Sequence, residues 1–313
     1  MNIEIKTVYK GLILVLVLFV GSGCKNIVDR YDERLSNQYT NAGFVQKTMN
    51  NDRFSINYWD NQKEGAPVVV FVHGFGGDGK ISWWEQAEAF LEDYRVVIPD
   101  ILWFGQSQSS EQPTLNAQIE GINELLQHLA LEKVHLVGIS YGGFISLGIA
   151  HRYPDQLSSL TLVDSPGPIV STKDIDNFCE QVGVDSIQEA FVPESAKGVK
   201  RLMDFSFEQP PLLTDGIRAQ TLGHYFSRNP KEQRELLREL PSNRQALGGP
   251  IAVETLILWG KEDVIFDVHQ AHELAELLSA RIEIIEGAGH ALPFERPDLF
   301  NQQLERFIRT AEE

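Results

Sequence analysis

The sequence predicts an α/β fold: one mostly parallel, eight-stranded sheet with helices on both faces and a helical segment inserted after the sixth strand. Three observations carry this. Val68-Val69-Val70-Phe71-Val72 is continuously apolar, the pattern of a parallel strand covered on both faces. Such runs alternate with helix-period stretches from 83 to 163 and again from 255 to 310. Between 166 and 250 the alternation stops, and the chain reads as helical, punctuated by Pro210-Pro211, Pro230, Pro241 and Gly248-Gly249-Pro250.

Taken in order, residues 44–49 and 54–59 alternate apolar with polar and are joined by Asn50-Asn51-Asp52, a β-hairpin signal. The strand at 68–72 runs into His73-Gly74-Phe75-Gly76-Gly77, where glycines let backbone N–H groups approach a ligand. A helix over 83–91, a strand over 94–98, a helix over 115–129 and a strand over 134–139 follow. After a helix at 141–152 and a strand at 160–163 comes the helical stretch. Strands at 255–259 and 281–285 flank a helix at 268–278, and a terminal helix starts at Pro297, a good first helical residue, and runs to about 310. Residues 43–165 and 251–313 thus form one core, and 166–250 a helical cap over the carboxyl ends of the strands, where open parallel sheets bind ligands.

The N-terminus has another character. Lys6 and Lys10 precede an apolar run at 11–20, the length of a secretory core and short of the ~20 residues a spanning helix needs. Gly21-Ser22-Gly23-Cys24 resembles the bacterial lipobox, with Gly21 where that motif usually has an aliphatic residue. The resemblance implies a signal peptide over 1–23, acylation of Cys24, and an envelope protein held to a membrane by lipid. Residues 24–42 are polar and charged, which suits a tether with little fixed structure. The net charge of −17 excludes a nucleic-acid partner and simple adsorption to anionic membranes. With Cys24 acylated, Cys179 is left alone, a buried small apolar residue rather than part of a disulfide framework.

The chemistry centres on Gly138-Ile139-Ser140-Tyr141-Gly142, between an apolar strand and the small-residue start of a helix. A bare G-x-S-x-G arises by chance in roughly one chain in ten of this length. The strand–turn–helix context is what selects Ser140 as nucleophile, lifted clear of the sheet beside helix N–H groups. A serine hydroxyl needs a base, and histidine titrates near neutral pH. Of eight histidines, His290 sits in the flexible loop Gly287-Ala288-Gly289-His290 after the last strand and suits that role. His73 reads as structural, and His269 and His272 lack a third ligand for a metal. Asp263, after the seventh strand, is the carboxylate for the base; Glu262 is one residue off and Asp164 is the runner-up position.

The order Ser140, Asp263, His290 and the stretches His73-Gly74-Phe75-Gly76-Gly77, 99–107, Gly138 to Gly143, Trp259 to Asp263 and Gly287 to His290 resemble the α/β-hydrolase superfamily across about residues 43–311. The resemblance implies an oxyanion hole from the backbone N–H groups of Phe75 and Tyr141. Serine rather than aspartate at residue 140 sets the chain apart from epoxide hydrolases and haloalkane dehalogenases and implies acyl chemistry without cofactor or metal. The expected enzyme is a carboxylic ester hydrolase, esterase-like or lipase-like, acting on a small-molecule ester or lipid. Three other activities share the scaffold. They are meta-cleavage-product C–C hydrolysis, proline iminopeptidase activity using cap acids among Glu180, Glu189, Glu194 and Glu208, and cofactor-free perhydrolysis. A surface binding lipoprotein is the non-enzymatic alternative.

Overall fold

The computed structural model describes residues 26–243 and 247–312, so the expected signal peptide and the expected acylation site Cys24 lie outside the described residues. Among the described residues, nine strands form one sheet: β1 (Val45–Asn50), β2 (Phe54–Asp60), β3 (Val68–Val72), β4 (Arg95–Pro99), β5 (Gln108–Ser109), β6 (Val134–Ile139), β7 (Leu157–Val163), β8 (Thr255–Gly260) and β9 (Arg281–Ile285). Their order is β1-β2-β4-β3-β6-β7-β8-β9. β2 is antiparallel to β1 and β4; from β4 to β9 along this path every pairing is parallel. The ninth strand, unforeseen in the sequence, is two-residue β5, which pairs antiparallel with the start of β2 and is too short to carry an alternation.

Each buried strand feeds two cores. Val70, Val72, Leu136, Ile257 and Trp259 pack with α3 (Leu115–His128), α4 (Tyr141–Arg152) and α10 (Val268–Leu278) on one face. Val69, Phe71, Val137 and Leu258 pack on the other with α1 (Ile27–Asn41), α2 (Gly79–Phe90) and α12 (Pro297–Glu312). Because side chains alternate with period two, a one-residue slip would exchange the two sets. From β3 the chain passes to β4 on one side, and β6 pairs on the other, so a crevice opens beyond the carboxyl ends of β3 and β6.

Between β7 and β8 lie α5 (Thr172–Val182), α6 (Ile187–Phe191), α7 (Ala196–Ser206), α8 (Asp215–Tyr225) and α9 (Pro230–Asn243). Ser171, Ser186, Ser195 and Thr214 start the first four, each accepting a first-turn N–H, which is why this stretch breaks into short helices. Phe178, Phe191, Leu202, Phe205 and Leu236 are continuous with the α3/α4 core, so these helices are docked through buried apolar side chains. Cys179 is buried among them.

Residues 27–41 correct the tether expectation: they form helix α1. Average polarity hid an apolar stripe, Val28, Leu35 and Tyr39, at helical spacing and buried, behind an Asn26 N-cap that accepts the Asp29 N–H. Its charged face is also engaged. Lys80 of α2, 8% exposed, pairs with Asp32 at 2.7 Å and donates to Ser36 Oγ at 2.9 Å. Gln220 of α8 accepts the Ile27 N–H at 2.8 Å, and His224 Nδ1 bonds Asp29 at 2.9 Å. α1 thereby joins the cap to the core.

Candidate active site

Ser140 ends β6 and precedes α4 with φ 52° and ψ −120°, a left-handed φ that costs a non-glycine residue roughly 1–3 kcal/mol. Backbone bonds impose it: the Ser140 N–H donates to Val163 O at 2.9 Å, and the Gly143 N–H donates to Ser140 O at 2.9 Å. The turn is so tight that a Cβ at Gly138 would stand 2.4 Å from Gly142 O, and one at Gly142 2.3 Å from Val72 O. The first two N–H groups of α4, those of Tyr141 and Gly142, have no intrahelical acceptor and lie beside Ser140.

The loop leaving β3 lies against the same serine, since a Cβ at Gly74 would be 3.0 Å from Ser140 Cβ. His73 shapes this loop. Its Nε2 accepts the Ile101 N–H at 3.1 Å, so Nδ1 carries the proton and donates to Gly74 O at 2.7 Å. Burial pushes its pKa down to about 4, and both ring nitrogens are occupied by a neutral, structural imidazole. Two residues on, Phe75 presents its N–H; neither it nor the Tyr141 N–H has a hydrogen-bond partner among the described residues. The Phe75 ring meets Phe104 at 4.9 Å, Tyr141 at 5.2 Å and Phe191 of the cap at 6.3 Å. Asp78 closes the loop by capping α2 through the Ile81 N–H; burial and the neighbouring Asp100 charge push its pKa to about 6.

Asp263 lies in the turn after β8 with its side chain fully buried. Its Oδ1 accepts the N–H groups of Ile265 at 2.8 Å and Phe266 at 3.1 Å, which aims Oδ2 at His290 Nδ1, 2.8 Å away. His290 packs against the Phe266 ring at 5.5 Å and keeps 7% of its surface exposed. Nε2 is left open: no bond joins it to Ser140 Oγ among the described residues, a looseness common in unliganded sites.

The other two carboxylates do different work. Glu262 accepts the Gly287 and Ala288 N–H groups at 2.8 and 3.1 Å, fixing the start of the His290 loop. Asp164, held at φ 44°, accepts the Gly260 N–H at 2.7 Å. Burial, reinforced by the Asp263 charge, drives its pKa well up and favours the neutral acid. Of the remaining histidines, His135 bonds Ser159, His151 meets Leu247 O, and His269 bonds Asp267 at the start of α10.

One residue escaped sequence reasoning. Glu295, in the short helix α11 (Leu292–Glu295), accepts the Gly289 N–H on Oε2 at 2.8 Å and the Gln209 N–H on Oε1 at 3.0 Å. The Ala291 N–H donates to Ser206 O at 2.8 Å. Both neighbours of His290 are therefore tied to the segment that leaves α7, a pairing no local pattern announces. The whole arrangement is a hydroxyl on a strained turn, an imidazole oriented by a carboxylate, and two unpartnered N–H groups, a set suited to attack on a carbonyl.

Comparison with known proteins gives the fold family. A family model described as alpha/beta hydrolase fold matches residues 67–297. Lipase 1 of Psychrobacter immobilis is 27% identical over 241 residues, 74% of each chain. The 2-hydroxy-6-oxononadienedioate/2-hydroxy-6-oxononatrienedioate hydrolase of Comamonas testosteroni is 27% identical over 285 residues, 85% of this chain and 96% of its own. Among solved structures, a protein of Acinetobacter baumannii AYE provisionally described as a lipase superposes with a TM-score of 0.79 at 25% identity, covering 93% of this chain and 99% of its own.

Proposed function

The chain belongs to the α/β-hydrolase fold family, and from that premise we propose that it hydrolyses carboxylic esters through an acyl-enzyme on Ser140. The observation that carries the reading is the 2.8 Å bond from His290 Nδ1 to Asp263, which leaves Nε2 without a partner among the described residues, in a chain whose Ser140 is held at positive φ. Ser140 Oγ attacks the ester carbonyl while His290 Nε2 takes its proton. The N–H groups of Phe75 and Tyr141 receive the oxyanion, and Asp263 stabilises the imidazolium. His290 returns the proton to the departing alcohol. Water, deprotonated by His290, then releases the acid and restores Ser140. Each backbone donor in such a site is worth about 3 kcal/mol to the transition state. The likeness to Lipase 1 supports an ester or lipid substrate.

The likeness to the Comamonas hydrolase favours one second reading, C–C bond hydrolysis at the same serine. Of the four cap acids an aminopeptidase would draw on, Glu189 and Glu194 are taken up by Arg201 and Arg234 at 2.9 and 2.8 Å. The signal peptide and acylated Cys24 complete the proposal, as a lipid-held envelope enzyme. Cys24→Ser would then move the protein from the membrane to the soluble fraction.

The test is hydrolysis of p-nitrophenyl esters from acetyl to palmitoyl by the full chain, with Ser140→Ala as control. Ser140-dependent turnover is the expected result, its best chain length reporting the depth of the acyl site. Absence of turnover by folded protein, with cleavage of a vinylogous 1,5-diketone instead, would replace the ester reading by the C–C one.

A further inference from the structure

Tyr141 carries two groups of unlike status. Its N–H is assigned above to the oxyanion; the residue is 3% exposed, and its hydroxyl has no hydrogen-bond partner among the described residues. A buried hydroxyl without a partner is a standing cost to the fold that phenylalanine would not carry. Its surroundings explain why nothing local satisfies it. The ring stands edge-on to Phe75 at 5.2 Å and tilted to Phe144 at 6.4 Å, and Phe75 in turn meets Phe104 and Phe191. Leu202 of the cap lies over the same loop, 4.0 Å from where a Gly76 Cβ would be. Burial, with the Glu239 charge of α9 adding to it, keeps the phenol protonated, so it can only be satisfied as a donor or by a donor of its own. The hydroxyls of Thr161 and Ser165 have no partner among the described residues either, but they belong to β7 and its exit, outside this aromatic set.

We propose that the Tyr141 hydroxyl is the polar contact of an otherwise aromatic acyl subsite, and that the preferred substrates are esters whose acyl chain carries an acceptor oxygen a few bonds beyond the scissile carbonyl. The inference rests on the ester-hydrolase reading. One residue then grips the acyl group twice, at the carbonyl through its N–H and farther along through its side chain. Aromatic walls discriminate poorly between isosteres, whereas a buried donor left unpaired by the wrong one discriminates strongly.

The experiment compares p-nitrophenyl 4-oxopentanoate with its isostere, p-nitrophenyl 4-methylpentanoate, on the full chain and on Tyr141→Phe, reading the ratio of kcat/KM for the two esters and the Tm of each protein. The expected ratio is about tenfold or more in favour of the oxo ester for the native chain and close to one for Tyr141→Phe, whose Tm is unchanged or higher. A native ratio near one, or an equal ratio in both proteins, overturns the subsite. So does a fall of several degrees in Tm, which would show the hydroxyl already satisfied within the fold. Cleavage of neither ester defeats the ester reading itself and removes the subsite with it.

Discussion

His290 and His224 are both histidines bonded to aspartate, yet one sits at the carboxyl ends of the strands and the other in the seam between α1 and the cap. At the strand ends Asp263 takes one ring nitrogen and leaves the other without a hydrogen-bond partner among the described residues. In the seam both nitrogens of His224 are engaged, Nδ1 with Asp29 at 2.9 Å and Nε2 with Asp32 at 3.4 Å. Its bond with Asp32 raises the His224 pKa, burial opposes, and Asp29 adds to the rise. His73 offers a third state, with both nitrogens occupied and burial holding it neutral. An oriented imidazole becomes a base when one nitrogen has nothing to hold; with both engaged it is a cross-link.

The comparison breaks most visibly at the strand ends. Asp263→Asn should lower kcat by roughly 10^4-fold in ester hydrolysis, because the imidazole loses its tautomer and the imidazolium its counter-charge. A mild loss would transfer the acid's role to Glu262 or Asp164. In the seam the effect should fall on stability instead. Lys80→Met removes the partner of Asp32, which is 20% exposed and keeps His224. The expected cost is therefore about 2 kcal/mol in urea unfolding, below the ~3–5 kcal/mol for breaking a fully buried pair. An unchanged midpoint would mean that α1 is not held by charge.

The smallest effect concerns pH. A histidine whose pKa is raised on folding contributes stability that is fully present below the ordinary value of 6.5 and is lost as pH rises through the raised one. The Tm difference between the native chain and His224→Gln should therefore be largest near pH 6 and vanish in the alkaline range. A difference independent of pH would assign the contact to packing alone.

What was legible follows from how locally each feature is encoded. The sheet, the Ser140 turn and the loops of Phe75, Asp263 and His290 are written in contiguous runs whose glycines and apolar periods have one structural solution. The Asp263 carboxylate even selects its own orientation from two N–H groups within three residues. Helix α1 reads as a tether in the sequence because a stripe of three buried apolar residues among fifteen looks like solvent-facing chain until α2 and α8 supply Lys80 and Gln220. Glu295 was missed for the same reason: its two partners, Gly289 and Gln209, are brought together only by the assembled cap.

The corner built by Glu295 sets the mechanics of access. With Gly289 and Ala291 both tied to the chain leaving α7, the cap cannot lift at that corner without dragging the base loop out of line. Any opening that keeps the reactive groups in register therefore leaves the 206–209 segment in place. Entry and chemistry are in this way mechanically geared to each other.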